Sequence, residues 1–320
     1  MNHRAAAGIT QEQPPEPQRR ELLKCMLWAG SALLWTVSAG IPKSRLISNA
    51  YAGDAPTEGF SFAQISDSHI GFPGPANVDV TGTLQLAMRH VVALKKRTSL
   101  LIHTGDISHL GQDKELDTAK QIIDSAGFET HYVPGEHDML VDNGKGFYAR
   151  FSPKDARALG AYTLDTHGVH FIALNNVSNF HAGGLGQLGA AQLEWVKRDL
   201  KGRPASQPII ILAHMPLWSI YPEWGWGTDE SADLLAALKR FGSVTVLNGH
   251  IHQVLQKVEG HVTFHTALST AFPLPPPGSG PAPIPVKLPA DRLAAALGTA
   301  WISQVSSDTG LAVVEQPLGA

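Results

Sequence analysis

Five short apolar runs along the chain stop abruptly at polar or charged residues. Residues 60–66 lead into Asp67-Ser68-His69, and residues 100–103 lead through Thr104 and Gly105 into Asp106. Residues 130–133 pass through Pro134 into Gly135-Glu136-His137-Asp138, residues 208–213 end at His214, and residues 243–247 pass through Asn248 into Gly249-His250-Ile251-His252. Runs of four to seven residues with sharp ends predict strands buried on both faces, each presenting its last side chains at one edge of a sheet.

Between these runs the apolar period changes to that of a helix. Leu84, Ala87, Met88, Val91, Val92 and Ala93 mark one face of a helix over 83–97. A second helix over 113–125 is closed by Gly127. Alternation of strand and helix predicts parallel pairing with right-handed crossovers. Beyond Asp138 the register changes: residues 162–166 and 169–175, separated by His167-Gly168, predict a hairpin. Helices follow over 192–200, stopped by Gly202-Arg203-Pro204, and over 231–241, introduced by Thr228-Asp229-Glu230; residues 261–268 form a further strand. The class is therefore α/β, with antiparallel pairs joined to a parallel core. The glycine-rich stretch 183–189 lacks the lysine and Ser/Thr of a phosphate-binding loop and reads as a flexible connector. Residues 271–289, rich in proline, read as an extended surface segment. No internal repeat or second catalytic domain is visible.

Composition narrows this further. The 320 residues are 43% hydrophobic, enough for one large core, and carry a formal net charge of −3. Residues 1–52 hold six of the 25 Lys/Arg and three of the 28 Asp/Glu, so the remaining 53–320 has 19 basic and 25 acidic residues, a net −6. An acidic body argues against a nucleic-acid polymer as partner, because such affinity rests on Lys and Arg.

The strand ends carry the chemistry. Carboxylates and imidazoles without a thiolate suit Mn, Fe, Zn or Co. They are too many for one ion, which points to two divalent or mixed-valence ions sharing a carboxylate. The ordered set Asp67-x-His69, Gly105-Asp106, Gly135-Glu136-His137-Asp138, His214 and Gly249-His250-x-His252 resembles the calcineurin-like metallophosphoesterase family, in its cyclic-nucleotide and glycerophosphodiester branch, over about residues 60 to 265. The resemblance implies a four-layer sandwich of two mixed β-sheets flanked by α-helices. It also implies that Asp67, His69, Asp106 and His252 hold one ion, and that the shared Asp106 with Glu136, His214 and His250 holds the other. Attack on a small phosphate ester would come in line from a hydroxide bridging the ions. His137 would serve the leaving oxygen, with Asp138 orienting its imidazole. The family usually places Asn where this chain has Glu136. An added negative charge there favours a singly charged phosphodiester, or a trivalent iron; alternatives are simple replacement as an oxygen ligand, a phosphomonoesterase, and a metal-bound binding module without catalysis.

Of the other histidines, His109 is a candidate for substrate contact, whereas His103, His131, His170, His181, His261 and His265 read as strand or loop residues. The aromatic loop from Trp218 to Trp226, with Tyr221 and Trp224, either covers a sheet edge or partner surface or stacks on an organic leaving group.

The N-terminus reads as an address. Arg19-Arg20-Glu21-Leu22-Leu23-Lys24 precedes a weakly apolar run over 25–40 that is short for a membrane span. This resembles a twin-arginine signal, with cleavage after Ala39 or, by preference, Ala52. It implies a partner in the twin-arginine export machinery, a periplasmic or secreted location, and a mature domain of residues 53–320 with no stable membrane span. Cys25, the one cysteine, would leave with the signal, so the mature domain would have no disulfide.

Overall fold

The computed structural model describes residues 60–94, 98, 100–154, 156, 159–179, 183–304 and 311–319, with the backbone of 33–38 and 41–46. The paired arginines, Cys25, His181 and both cleavage positions lie outside the described residues. The chain divides into two units, Met1–Ala55 and Pro56–Ala320. In the first, β1 (Leu33–Ser38) and β2 (Ile41–Leu46) pair antiparallel.

The second unit contains two mixed sheets. In chain order its strands are β3 (Ser61–Ile65), β4 (Leu100–His103), β5 (Glu129–Tyr132), β6 (Tyr162–Thr166), β7 (Val169–Ala173), β8 (Ile209–Leu212), β9 (Val244–Asn248), β10 (Gln256–Glu259), β11 (Val262–Thr266), β12 (Gly298–Gln304) and β13 (Leu311–Pro317). Its helices are α1 (Val80–Ala93), α2 (Asp113–Asp124), α3 (Lys145–Phe151), α4 (Ala190–Leu200), α5 (Ser231–Leu238) and α6 (Ala290–Ala296). One sheet has the order β13-β12-β3-β4-β5 and the other β10-β11-β9-β8-β7-β6. The expected parallel pairs, β3 with β4, β4 with β5 and β8 with β9, are present.

Side-chain alternation explains the four layers. Phe62, Leu100 and Ile102 turn inward to meet Phe171, Ile210, Leu212 and Leu247 of the other sheet. Ala63, Ile65 and Leu101 turn outward, under Leu84, Met88 and Val91 of α1, Leu116 and Ile123 of α2, and Phe147 of α3. Ile209, Ile211 and Val246 turn outward from the second sheet, under Leu193, Val196, Leu234 and Leu238 of α4 and α5. Full burial of each such Leu, Ile or Phe stabilises the fold by about 1.5–3 kcal/mol.

Local chemistry sets the element ends. Asp79 accepts a hydrogen bond from Gly82 N at 2.8 Å and starts α1 at residue 80, before the expected 83. Glu115 accepts from the backbone N–H of Leu110 and Gln112, closing α2 onto the loop before it. The β6–β7 hairpin forms as expected, with φ of 50° at His167 and 78° at Gly168, the left-handed pair that a two-residue hairpin demands.

Two expectations need correction. The 183–189 stretch is not a loose connector: Gly186 N donates to Gly227 O at 3.0 Å, Asp229 N to Gly186 O at 2.8 Å, and Leu188 N to the Glu230 carboxylate at 3.1 Å. The proline-rich segment has neither helix nor strand over 273–289, but its first residues are not on the surface. Ala271 and Phe272 are buried because Thr270 N and Ser269 Oγ bind the carbonyls of Ser66 and Asp67, drawing the segment inward.

Candidate active site

The strand ends of β3, β4, β5, β8 and β9 converge as the apolar pattern required. Asp67 and His69 follow β3, Asp106 follows β4, and Glu136, His137 and Asp138 begin a 3₁₀ turn after β5. His214 follows β8, and His250 and His252 follow β9. Five of these residues have left-handed backbones: φ is 53° at Asp67, 41° at His69, 53° at Asp106, 70° at His250 and 53° at His252. Each such non-glycine residue costs about 1–3 kcal/mol unless its surroundings impose it. Here they do. Asp67 N donates to Gly105 O at 3.0 Å, His69 N to Asp106 O at 2.9 Å, and His250 N to the Asp67 carboxylate at 3.0 Å.

The glycines beside the acids permit this closeness. A Cβ on Gly105, whose φ is 94°, would stand 2.5 Å from His214 Nδ1. A Cβ on Gly135 would overlap the Asp106 carboxylate, and one on Gly249 the Asp67 carboxylate.

The side chains fall into two groups joined by Asp106. In the first, His252 Nε2 lies 3.3 Å from Asp67 Oδ1 and 3.2 Å from His69 Nε2. In the second, Glu136 places one oxygen 2.9 Å from His214 Nε2 and the other 3.0 Å from His250 Nδ1. Asp106 Oδ2 reaches both, 3.6 Å from His69 Nε2 and 3.4 Å from His214 Nε2. All seven residues assigned as ligands by resemblance are thus brought together, and the Glu136 carboxylate lies among them.

The donor atoms suit metal ions. His214 Nδ1–H donates to Thr104 O at 2.7 Å and His252 Nδ1–H to Phe272 O at 2.6 Å, so each turns its Nε2 toward the carboxylates. The buried atoms His214 Nε2, His250 Nε2 and Glu136 Oε2 have no hydrogen-bond partner among the described residues. Imidazole nitrogens facing carboxylate oxygens at about 3 Å are cohesive when a cation, a proton or a metal ion, lies between them. The acids are poised to stay ionised. Burial alone would raise Asp67, but His252 and His214 hold it at about 2; Glu136, likewise buried, is kept well below the usual range by His250 and His214. Burial lowers His214, yet Asp106 and Glu136 outweigh it and hold its pKa well above 6.5; burial, reinforced by His137 and His252, keeps His69 well below it.

His137 stands beside the second group, with a ring nitrogen near Asp106 and Glu136. Its backbone N–H donates to Asp106 Oδ1 at 3.0 Å, and its Nδ1–H donates to the carbonyl of His109 at 2.7 Å. Asp138 does not orient this ring. Its carboxylate accepts instead from Ile107 N, Ser108 N, Ser108 Oγ and Gly135 N at 2.7–3.2 Å, fastening the loop after β4 to the turn after β5. The expected role for Asp138 therefore passes to a main-chain oxygen. Burial works against the charge of His137, but Asp106 and Glu136 overcome it and raise its pKa, whereas burial beside His137 takes half-buried His109 down to about 4.

His103 is a core histidine, accepting from Gly105 N at 3.2 Å and donating from Nε2 to Ser68 Oγ at 2.8 Å. The aromatic loop is packed. Trp224 and Trp226 are buried on Ile251, the residue between His250 and His252, so the loop supports the β9 end and leaves no open stacking slot at those rings. Sequence reasoning missed Phe272, whose ring lies 4.8 Å from His69 and 4.9 Å from His252. An aromatic residue at the head of a proline-rich segment was its one available signal.

Two sheets with helices outside, and buried acids and imidazoles at their shared edge, define a metal-dependent hydrolase. The chain belongs to the calcineurin-like phosphoesterase family, whose sequence model matches residues 60–254; it is a metal-dependent phosphoric ester hydrolase. It is 28% identical over 222 residues to a 3′,5′-cyclic-nucleotide phosphodiesterase from Nostoc sp., covering 66% of this chain and 79% of that protein. It is 24% identical over 216 residues to a probable glycerophosphodiester phosphodiesterase from Arcobacter nitrofigilis, covering 64% and 77%. The fold is shared with a dimetal phosphatase from Danio rerio at a TM-score of 0.57 and 15% identity, covering 80% of this chain and 98% of that one.

Proposed function

We propose that the protein is a two-metal phosphodiesterase acting on small esters. The observation that carries this reading is the pair of donor groups, Asp67-His69-His252 and Glu136-His214-His250, with the Asp106 carboxylate reaching both. Asp67, His69, Asp106 and His252 would hold one ion, and Asp106, Glu136, His214 and His250 the other. When bound, the ions supply Lewis acidity toward the phosphoryl oxygens and make water a competent nucleophile at neutral pH.

The chain's own residues do the rest. Thr104 O and Phe272 O hold the tautomers of His214 and His252. The His109 carbonyl fixes His137 by its Nδ1–H, leaving Nε2 as the ring atom free to meet substrate. Asp106 and Glu136 raise the pKa of His137 in the metal-free site, and its Nε2 is the position from which a proton would reach the leaving oxygen. Asp67, Asp106 and Glu136 place three carboxylates in the centre, which repel a doubly charged monoester more than a singly charged diester. The names borne by the Nostoc and Arcobacter relatives support the same preference. The N-terminal pattern supports export of the folded, metal-loaded protein across a membrane. Among the described residues no helix is long and apolar enough to span one.

The test is hydrolysis of bis(p-nitrophenyl) phosphate against p-nitrophenyl phosphate, with metal counted on the same sample. Diester turnover with about two ions per chain is expected; preference for the monoester would favour the phosphomonoesterase reading, and bound metal without turnover a binding module.

A further inference from the structure

Three imidazoles, those of His69, His109 and His137, bring ring nitrogens within 4.8 Å of one another at the rim of the first group. His69 belongs to the ligand set and His137 faces substrate, which leaves His109 without a role. Its position supplies one.

His69 directs Nε2 inward, 3.2 Å from His252 Nε2 and 3.6 Å from Asp106 Oδ2. An imidazole that ligates through Nε2 carries its proton on Nδ1 and needs an acceptor there. For His214 and His252 that acceptor is a backbone carbonyl. For His69 it is the side chain of His109, whose Nδ1 lies 3.5 Å from His69 Nδ1. Accepting at Nδ1 puts the proton of His109 on Nε2.

The same residue also holds the proton donor. The His109 carbonyl takes the Nδ1–H of His137 at 2.7 Å, and the two rings stack with centroids 4.9 Å apart and planes 23° from parallel. His109 N in turn donates to Ile70 O at 2.9 Å, and Phe72 packs edge-on against the ring at 5.2 Å, so the histidine is braced on the loop that follows His69.

Building on the two-ion reading, we propose that His109 is a positioning residue whose side chain fixes the tautomer and ring orientation of the ligand His69, while its main chain fixes His137. Its two halves separate by substitution. Asn presents Oδ1 where His presents Nδ1, so His109→Asn keeps an acceptor for His69. Gln carries its amide one bond further out, near the place of Nε2, and His109→Gln does not; His109→Ala removes the acceptor outright. All three keep the carbonyl that holds His137.

The experiment loads the full-length wild type and the three variants with Co(II), records the visible ligand-field spectrum, and follows ion release into a chelator. The wild type is expected to hold two ions. His109→Ala and His109→Gln should release one of them about tenfold or more faster, with an altered spectrum for that ion, the usual scale for losing the partner of a ligand histidine. His109→Asn should release it at close to the wild-type rate. Release from His109→Ala at the wild-type rate, or an Asn variant no better than Ala, or a Gln variant as good as Asn, would overturn the proposal and leave the two-ion reading standing. A wild-type protein that binds no Co(II) would overturn both.

Discussion

At Glu136 a third carboxylate enters a centre already holding Asp67 and Asp106, and its oxygens face His214 and His250, at 2.9 and 3.0 Å. Replacing it with Asn removes one negative charge and keeps an oxygen donor. Glu136→Asn should move the ratio of monoester to diester hydrolysis toward the monoester; an unchanged ratio would show that Glu136 is an oxygen ligand with no effect on selectivity. His137→Ala should lower kcat by about 10²- to 10⁴-fold, the range of a lost general acid, with metal content unchanged. His103 gives a prediction on stability. Burial takes its pKa from 6.5 to about 3, so between those values the unfolded chain binds a proton that the folded chain refuses. Its contribution is complete above pH 6.5 and is lost as the pH falls. The metal-free wild type should therefore lose up to about 1.4 kcal/mol more per pH unit across that window than His103→Gln, as measured by urea unfolding. The clustered acids and histidines were legible in the sequence because each side chain stands where an apolar run stops. Their partners were not: Thr104, His109 and Phe272 act through carbonyl oxygens, which every residue possesses.

Among the elements, strands with an abrupt polar end were legible, and so were helices with a clear apolar face. The short α3 and α6, of seven residues each, offer too few turns for periodicity to register. β12 and β13 were missed because they follow the proline-rich segment and join the sheet through antiparallel pairing of β12 with β3, far back in sequence, with β13 paired outside it. The segment from Ser269 to Leu274 shows the cost of reading composition alone. Proline content over 271–289 marks an extended surface segment, yet at its head Ser269 Oγ donates to Asp67 O at 2.8 Å and Phe272 lies against His69 and His252. Phe272→Ala should lower stability by about 3–5 kcal/mol, as other buried Phe truncations do, and should speed metal release. A variant with wild-type melting and release would show that the segment is not needed to set the site. Gly105→Ala puts a Cβ against His214 at a φ of 94°, and it should abolish metal loading of the second group before it affects folding of the distant sheet edges.

For the whole molecule, the site exists only where two sheets meet. Asp67, His69 and Asp106 come from the five-stranded sheet, His214, His250 and His252 from the six-stranded one, and Gln64 Nε2 of β3 donates to Thr104 Oγ1 beside it and across to Asn248 O of the other sheet. Alternation of strand and helix implied an α/β fold and the resemblance implied two mixed sheets, but the strand order emerged only in the structure, because local patterning does not say which distant strands pair. Ions held between the two sheets would bind the folded state, so their removal should lower Tm, and at a free metal concentration of 100 times Kd each ion should add about 2.7 kcal/mol. The most direct measurement of the account is paired: hydrolysis of bis(p-nitrophenyl) phosphate and p-nitrophenyl phosphate by one preparation, with metal content determined on it. The account predicts faster turnover of the diester and about two ions per chain. A single ion per chain, or turnover confined to the monoester, would contradict it.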